Sequence, residues 1–334
     1  MAGAISVRGL RKSYGPVVAV NDVSFDVEPG EFFAILGPNG AGKTTTLEMI
    51  EGLREPDAGQ LTVLGIPPWP RNAALLPRIG VQLQASSFFE KLTAREQIRT
   101  FASLYGIGAR RADQMLDTVG LAESADVRAE KLSGGQAQRL SIACALVHGP
   151  ELVFMDEPTG SLDPQARRNL WDLLRQINAD GRTVVLTTHH MDEAEILCDR
   201  VAIMDHGQIL QLGAPATLVR GLDSPVRISV ESGQLSAAEA ARLGDGAVAG
   251  NTLTGNTLTA NPLAANTVTG NTVTGNTMTG NTVTDDGVSL TIATREPALV
   301  LAGLADKNAL GGLRVQGATL EDVFLDLTGR EYRA

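Results

Sequence analysis

The chain has 334 residues, enough for about two domains, and its 43% hydrophobic and 20% charged residues are typical of a globular protein. A formal net charge of −10 argues against a general nucleic-acid binder, because no basic excess exists to neutralise phosphates. Only two cysteines are present, Cys144 and Cys198. They form no metal or disulfide framework and favour a reducing compartment.

No apolar run approaches the roughly 20 residues that cross a bilayer. Residues 1–10 also lack the charged-then-apolar layout of a signal peptide. We therefore expect the chain alone to be cytoplasmic. Any membrane-spanning part of its machinery would be another polypeptide.

Near the N-terminus, residues 5–7 and 23–27 alternate apolar and polar side chains and predict half-buried antiparallel strands. Tyr14 lies between them, on a polar segment. Its ring is either a partly buried surface aromatic or a face that stacks on the base of a bound nucleotide.

A glycine-rich segment lies between an apolar run at 31–36 and a helix-like run at 45–50, and it matches the pattern G-x-x-x-x-G-K-[ST]. Strand, turn and helix in this order predict a phosphate-binding loop whose N–H groups surround a β-phosphate. Lys43 can reach the β- and γ-phosphates, and the Thr44 hydroxyl can bind Mg²⁺. The alternative is an ordinary glycine-rich turn. The residues of the segment are Gly37, Pro38, Asn39, Gly40, Ala41, Gly42, Lys43, Thr44 and Thr45.

The next segments predict a strand at 78–84 and a helical region at 85–120. The strand ends on Gln84, whose amide either binds Mg²⁺ and positions water or is simply solvated. Apolar residues recur at helical spacing from Ile98 onward. The adjacent pair Phe88 and Phe89 is either core or a docking surface.

The segment Leu-Ser-Gly-Gly-Gln at 132–136 comes before a helix predicted at 137–147. A helix N-terminus with small residues is typical of an anion site. The plainer alternative is a serine N-cap followed by a flexible glycine pair.

Four apolar residues at 152–155 lead directly into Asp156 and Glu157, which predicts a buried strand that ends on two carboxylates. Mg²⁺ near Asp156 and a water held by Glu157 would give those acids partners. A turn containing Asp163 follows. A second buried strand at 183–188 ends in His189 and His190, of which at most one is expected to contact a γ-phosphate or orient water.

The order of these motifs resembles the nucleotide-binding subunit of an ATP-binding cassette (ABC) transporter, and the match covers nearly all of residues 4–222. The resemblance implies an α/β fold, a P-loop NTPase cassette with a mixed central sheet and a helical subdomain at about 86–148. It also implies a head-to-tail homodimer with two ATP molecules at its interface. A separate integral membrane permease would be its partner, and no nucleic acid is expected.

The resemblance also implies a role for each matching residue. The adenine-stacking aromatic would be Tyr14, the phosphate-binding loop residues 37–45, and the Mg²⁺ shell Thr44, Gln84 and Asp156. Glu157 would be the general base and His189 would steady the γ-phosphate, with Lys43 and Gln84 completing the catalytic set. Asp163 would link the two sites across the dimer. The γ-phosphate would be contacted from the second copy by Ser133, Gly134, Gly135 and Gln136.

A rival from another class is a soluble ABC-type ATPase switch that acts on nucleic acid or ribosomes. The interval between the phosphate loop and residues 132–136 leaves no room for the long coiled coil of DNA-repair relatives. The chain also has one cassette, whereas ribosome-acting relatives have two. Both observations favour a transporter subunit at the cytoplasmic face of the cell membrane.

Residues 223–334 predict a small α+β C-terminal domain with strands at 226–230, 288–292 and 313–315 and helices at 297–304 and 319–327. The tail at 320–330 is similar to the C-terminal end of ABC subunits from the daunorubicin-type multidrug exporters. These subunits work with separate permeases, so the resemblance implies export.

Within this domain, residues 250–284 repeat the five-residue unit Gly-Asn-Thr-(Leu/Val)-Thr. One hypothesis is a pentapeptide-repeat β-helix with the central apolar residues stacked inward. Seven units are too few to enclose such a core. The alternative, which we favour, is a mobile insertion rich in Gly, Asn and Thr.

Overall fold

The computed structural model describes residues 3–82, 88–160, 162–222, 226–243, 272–274 and 281–329. These residues form two compact units. The first contains the chain up to Leu218 together with residues 327–329, and the second contains the described residues between Val219 and Asp326. In the part of the chain that is described, no helix is both long and apolar enough to span a membrane.

The strands of the first unit form two sheets. A three-stranded antiparallel sheet has the order β2-β1-β4, and a six-stranded sheet has the order β5-β6-β7-β3-β8-β9. Only β9 of the larger sheet is antiparallel. The strands are β1 Ile5–Tyr14, β2 Val17–Val27, β3 Phe32–Leu36, β4 Ala58–Val63, β5 Ile79–Gln82, β6 Leu152–Asp156, β7 Thr183–Thr188, β8 Arg200–Asp205 and β9 Gln208–Gly213.

The central strands β3, β6 and β7 are buried along their whole length. A parallel strand covered on both faces requires such a continuous apolar run. The two sheets share a core in which the rings of Phe25 and Phe33 stack with centroids 5.2 Å apart. The register pairs Leu36 with Thr188 and Asp156 with Thr187, so three strand ends meet at one edge of the sheet. The predicted cassette fold with its mixed sheet is confirmed.

Seven α-helices of the first unit are described. Helices α2, α3 and α4 contact one another and form the helical region. A capping box between Thr93 and Glu96 begins α2. The helices are α1 Lys43–Ile50, α2 Ala94–Leu104, α3 Ala109–Thr118, α4 Gly134–Leu146, α5 Pro164–Ala179, α6 Met191–Leu197 and α7 Pro215–Arg220.

Within the helical region predicted at 85–120, α2 and α3 are separated at Gly106, which takes a φ of +70° and ends the first helix. One helix prediction needs correction. The helix predicted at 137–147 begins earlier, at Gly134. Its first turn therefore includes the glycine pair, and Ser133 is its N-cap.

The second unit is a five-stranded antiparallel sheet of order β11-β12-β13-β10-β14, with α8 and α9 packed on it. Its core includes Ile228, Ile292 and Leu304. The predicted C-terminal α+β domain is confirmed. The elements are β10 Val226–Glu231, α8 Ala237–Ala241, β11 Thr272–Thr274, β12 Thr282–Asp285, β13 Ser289–Thr294, α9 Pro297–Asp306, β14 Arg314–Gly317 and α10 Leu320–Thr328.

Two of these strands, β11 and β12, fall inside the predicted repeat. They pair antiparallel, and β12 continues into the sheet by pairing with β13. Val283 is fully buried in the core of this unit instead of in a stack of repeat units. The end of the repeat at 281–284 therefore belongs to the folded domain and not to an insertion. Residues 250–271 and 275–280 lie outside the described residues.

Candidate nucleotide-binding and catalytic site

The glycine-rich loop connects the end of β3 to the start of α1, and two of its glycines, Gly37 and Gly42, are required by close contacts. A Cβ on Gly37 would lie 2.1 Å from the carbonyl oxygen of Met204. A Cβ on Gly42 would lie 2.3 Å from that of Ala19, and Gly42 also has a φ of +101°. Gly42 is the N-cap of α1 and has no side chain to cap the helix. The first-turn N–H groups therefore face the loop, as phosphate binding requires.

Lys43 lies at the base of this loop and is 4% exposed. Its ammonium donates hydrogen bonds to the carbonyl oxygens of Gly37 (2.9 Å) and Pro38 (3.2 Å). Its Nζ also lies 3.4 Å from Oε1 of Glu157. Burial lowers the pKa of Lys43, and the nearby Glu157 carboxylate opposes this shift. The loop therefore holds a buried cation within reach of an acid from a different strand.

A cavity of about 340 Å³ opens over the loop. Tyr14, at the end of β1, lines the same cavity as Lys43 and Thr44. Tyr14 is 41% exposed, and Cζ of Arg54 lies 5.3 Å from the centroid of its ring. The cavity thus combines an aromatic face with a cationic and N–H-rich end, which suits a nucleotide with its phosphates.

Asp156, the last residue of β6, is buried and accepts two hydroxyl hydrogen bonds. Thr44 donates to its Oδ1 at 3.2 Å, and Thr187 of β7 donates to the same oxygen. Burial raises the pKa of Asp156, and these two hydrogen bonds oppose the shift. A carboxylate beside a hydroxyl is a donor set of hard oxygens, which suits Mg²⁺.

Gln84, the third predicted Mg²⁺ ligand, lies outside the described residues. The described part of β5 ends at Gln82, not at position 84. The role of Gln84 in binding Mg²⁺ therefore stays a prediction. Within the described residues, no group of three or more His, Cys, Asp or Glu side chains forms a metal cluster.

Glu157 and His189 come from the ends of two adjacent strands and meet above the loop. Nδ1 of His189 lies 3.2 Å from Oε2 of Glu157. Glu157 has a φ of +46°, and its N–H donates to the carbonyl oxygen of Thr187 at 3.1 Å. The rings of His189 and His190 lie 4.1 Å apart, but it is His189 that contacts Glu157.

The Leu-Ser-Gly-Gly-Gln segment is built as a helix cap. Ser133 and Gln136 form a capping box, with the Ser133 N–H donating to Gln136 Oε1 at 2.9 Å. Asp163 is the N-cap of α5, and its side chain accepts hydrogen bonds from the N–H groups of Gln165 and Ala166. These two helix starts line one cavity of about 440 Å³.

The comparisons with known proteins agree with this geometry. A family model described as ABC transporter matches residues 20–160. The chain is 38% identical over 339 residues to the Nod factor export ATP-binding protein I of Cupriavidus metallidurans, and the match covers all of both proteins. It is 43% identical over 220 residues to the protein of that name from Rhizobium sp., covering 65% of this chain and 72% of the relative. The chain belongs to the ATP-binding proteins of ABC transporters.

Solved structures place the same fold in this family. The structure of an ATP-binding subunit of an ABC transporter matches with a TM-score of 0.59 and 30% identity, covering 65% of this chain and 92% of that one. The dimeric structure of a bacterial ABC transporter cassette matches with a TM-score of 0.58 and 29% identity, covering 63% and 98%. This ABC subunit is an ATPase, and these findings favour it over a soluble switch that acts on nucleic acid or ribosomes.

Within one ABC subunit, the predicted site residues separate into two groups. The first cavity brings together Tyr14, the loop and Glu157, with Asp156 and His189 beside them. The second cavity holds Asp163 and the start of α4. Among the described residues, none lines both cavities. The roles of the individual residues remain predictions.

One buried side chain of this site escaped the sequence analysis. Glu193 of α6 has no exposed surface and accepts hydrogen bonds from Thr188, Thr159 and Trp171. From sequence, an acid in the first turn of a helix is expected to face solvent and favour the helix dipole. The signal that could have identified it is its position four residues after His189, where one helical turn brings it back toward the strand end.

Proposed function

We propose that this subunit is the ATP-hydrolysing motor of an exporter. It acts at the cytoplasmic face of the membrane as a head-to-tail homodimer and drives a separate integral membrane permease. The observation that carries the proposal is the division of the predicted site between two cavities of one chain. Export is supported by relatives named for Nod factor export, one of which aligns over the full length of the chain.

In the proposed reaction the loop N–H groups and Lys43 hold the ATP phosphates and stabilise the negative charge that develops during transfer. The Glu157 carboxylate accepts a proton from the attacking water. His189, 3.2 Å from Glu157, orients that water and the γ-phosphate. Tyr14 stacks on the adenine ring at the far end of the same cavity.

The proposed Mg²⁺ site consists of Thr44 and Asp156, with Gln84 as a third ligand from outside the described residues. When bound, Mg²⁺ would neutralise charge on the β- and γ-phosphate oxygens. Asp156 is positioned for this by the Thr187 hydroxyl, which fixes its orientation. Thr44 would contribute its uncharged hydroxyl oxygen as a second ligand beside the Asp156 carboxylate.

The second half of each site is proposed to come from the second copy of the chain. The N-terminus of α4 provides Ser133, Gly134 and Gly135 to the γ-phosphate, and Asp163 links the two sites. A closed two-fold dimer buries the same patch on both copies and forms two equivalent sites. ATP binding would close this dimer, and hydrolysis would reopen it.

The permease is proposed to dock beside the helical region, near Phe88 and Phe89. A cavity of about 380 Å³ lies there, lined by Phe88, Phe101 and Tyr105. Phe89 is 60% exposed and lines a second, shallower depression with Lys91. Exposed aromatic residues around a cavity are typical of a protein interface. Movement of the nucleotide dimer would reach the permease through this surface.

A more specific proposal is that the exported cargo is a drug-like compound of the kind that multidrug exporters carry. It rests on the similarity of residues 320–330 to the tail of daunorubicin-type exporter subunits. Membrane vesicles that contain the subunit and its permease are expected to accumulate daunorubicin only when ATP is supplied. Equal accumulation with the Glu157→Gln variant would remove the drug proposal and leave the ATPase proposal intact.

The central test is purification of the subunit with its membrane partner and measurement of ATP turnover. We expect a multi-span membrane protein to co-purify and ATPase activity to depend on Glu157. Phe89→Ala is expected to weaken that association while ATP binding is retained. Val288→Ala, which truncates an 80% exposed residue of the second unit, is the matched control. Co-purification of RNA or DNA instead of a membrane protein would overturn the proposal.

A further inference from the structure

The side chain of Glu193 is fully buried and ties together three separate elements of the ABC cassette. Its Oε2 accepts hydrogen bonds from the hydroxyl of Thr188 (2.6 Å) and the hydroxyl of Thr159 (3.1 Å). Its Oε1 accepts a hydrogen bond from the indole Nε1 of Trp171 at 3.3 Å. All three donors are themselves buried side chains. A buried carboxylate is tolerated only when its oxygens are satisfied in this way.

Each donor belongs to a different part of the catalytic machinery. Thr188 ends β7 and is followed directly by His189. Thr159 lies two residues after Glu157, in the short turn closed by the hydrogen bond from the Gly160 N–H to the Glu157 carbonyl at 3.3 Å. Trp171 lies on α5, the helix that Asp163 caps.

The contact between Glu157 and His189 depends on the relative position of two strand ends. Gly160 lies against this contact, because a Cβ placed on it would be 3.8 Å from both Glu157 Oε2 and His189 Cε1. A shift of the turn at 157–160 relative to the end of β7 would therefore change the distance between Glu157 and His189. The hydrogen bonds of the Glu157 N–H to Thr187 hold the start of this turn against β7, and the pair from Thr159 and Thr188 to one Glu193 oxygen opposes a shift of the rest of the turn.

We propose that Glu193 is a positioning residue. It fixes the turn at 157–160 relative to the end of β7, which His189 follows, and it connects both to α5. Its hydrogen bonds run to Thr188, Thr159 and Trp171, so it acts on Glu157 and His189 through their neighbours. The inference rests on the proposed function, because it assigns Glu193 a role in the same hydrolysis. Its effect is on the geometry of the reacting groups, so it acts on turnover more than on ATP affinity.

The test compares ATP turnover of the full chain with its partner in three variants: Glu193→Gln, Thr159→Val and the double variant. An amide cannot accept from both threonines and from Trp171 at once, because one of its two ends carries only donors. Each single variant is expected to lower kcat about tenfold or more with KM for ATP changed less than about twofold, as misplacement of reacting groups does. The double variant is expected to be no slower than the slower single variant.

Two controls separate positioning from general damage. Thr183→Val alters a buried threonine at the opposite end of β7, which accepts from the Gly30 N–H and does not contact Glu193, and is expected to keep kcat. Trp171→Phe combined with Glu193→Gln removes the N–H donor that faces the amide and is expected to restore part of the turnover.

Unchanged kcat in Thr159→Val, or strictly additive losses in the double variant, would overturn the positioning role. Thr159→Val decides the matter alone if Glu193→Gln does not fold. If the unmodified protein with its partner showed no ATPase activity, that result would instead contradict the proposed function. The two failures are therefore distinguishable.

Discussion

The two cavities of this ABC subunit are built in different ways. At the loop cavity, charged side chains from the start of α1 and the end of β6 come together. Lys43 lies 3.4 Å from Glu157, and Asp156 accepts a hydrogen bond from Thr44. The second cavity is built from two helix starts, whose caps Ser133 and Asp163 satisfy backbone N–H groups. In the proposed function, the first half supplies the reacting groups and the second supplies a helix N-terminus. On that proposal, the second half contributes to catalysis only when it faces the first half of another copy across a dimer.

The largest expected effect is on the reacting half. Glu157→Gln removes the proposed base and keeps the side-chain volume, so turnover is expected to fall about a thousandfold, in the range that general bases contribute. ATP binding is expected to remain. Steady-state ATPase assays and nucleotide titration measure the two quantities separately. Normal turnover in this variant would contradict the assignment of Glu157 as the general base.

A second prediction concerns the buried carboxyl group of Glu51 at the end of α1, behind the loop. Glu51 follows α1, is 4% exposed, and burial raises its pKa to about 8, with Asp156 and Glu48 adding to the shift. Its ordinary value is 4.5, so between these values the folded state holds a proton that the unfolded state has lost. The stabilising contribution is therefore complete below the unfolded pKa and declines as pH rises toward 8.

This decline amounts to about 3 kcal/mol between pH 4.5 and pH 7. Glu51→Gln cannot ionise, so its free energy of unfolding relative to the unmodified protein is expected to rise by that amount over the same range. Urea unfolding at the two pH values measures the difference. A constant difference between the variant and the unmodified protein would show that Glu51 titrates alike in both states.

The third prediction separates binding from turnover on the loop half. Lys43→Ala removes the cation proposed to contact the phosphates, and ATP affinity is expected to fall about ten- to hundredfold, the value of charged hydrogen bonds. Equilibrium binding of a fluorescent ATP analogue measures this loss. Affinity equal to that of the unmodified chain would contradict the phosphate-binding role of the loop.

The fourth prediction tests whether the halves meet across a dimer. A Cβ on Gly134 meets nothing within 4 Å, so Gly134→Asp is expected to fold, bind ATP and lose turnover through charge repulsion with phosphate. Mixed with Lys43→Ala, it gives hybrid dimers with one intact site. Random mixing is then expected to restore about a quarter of normal activity, since half the dimers are hybrids with half their sites intact. No recovery in the mixture would contradict the composite site.

The sequence predicts the loop half well because its residues lie at fixed places relative to strand ends. An apolar run followed by Asp156 and Glu157 predicts both the strand and its edge. The start of α4 was placed too late because glycines argue against helix, although the Ser133 and Gln136 capping box was visible. Glu193 was missed because its burial depends on Trp171 and Thr159, which are distant along the chain.

The backbone of Glu157 has a consequence for selection. Its φ of +46° is a conformation that non-glycine residues adopt at a cost of about 1 kcal/mol or more, and asparagine or glycine would tolerate it better. Replacement by asparagine is therefore favoured by backbone preference alone, yet asparagine provides no carboxylate. Selection for stability alone would therefore favour replacement of Glu157. Retention of glutamate at this position among descendants of this chain would indicate selection for ATP turnover instead of stability.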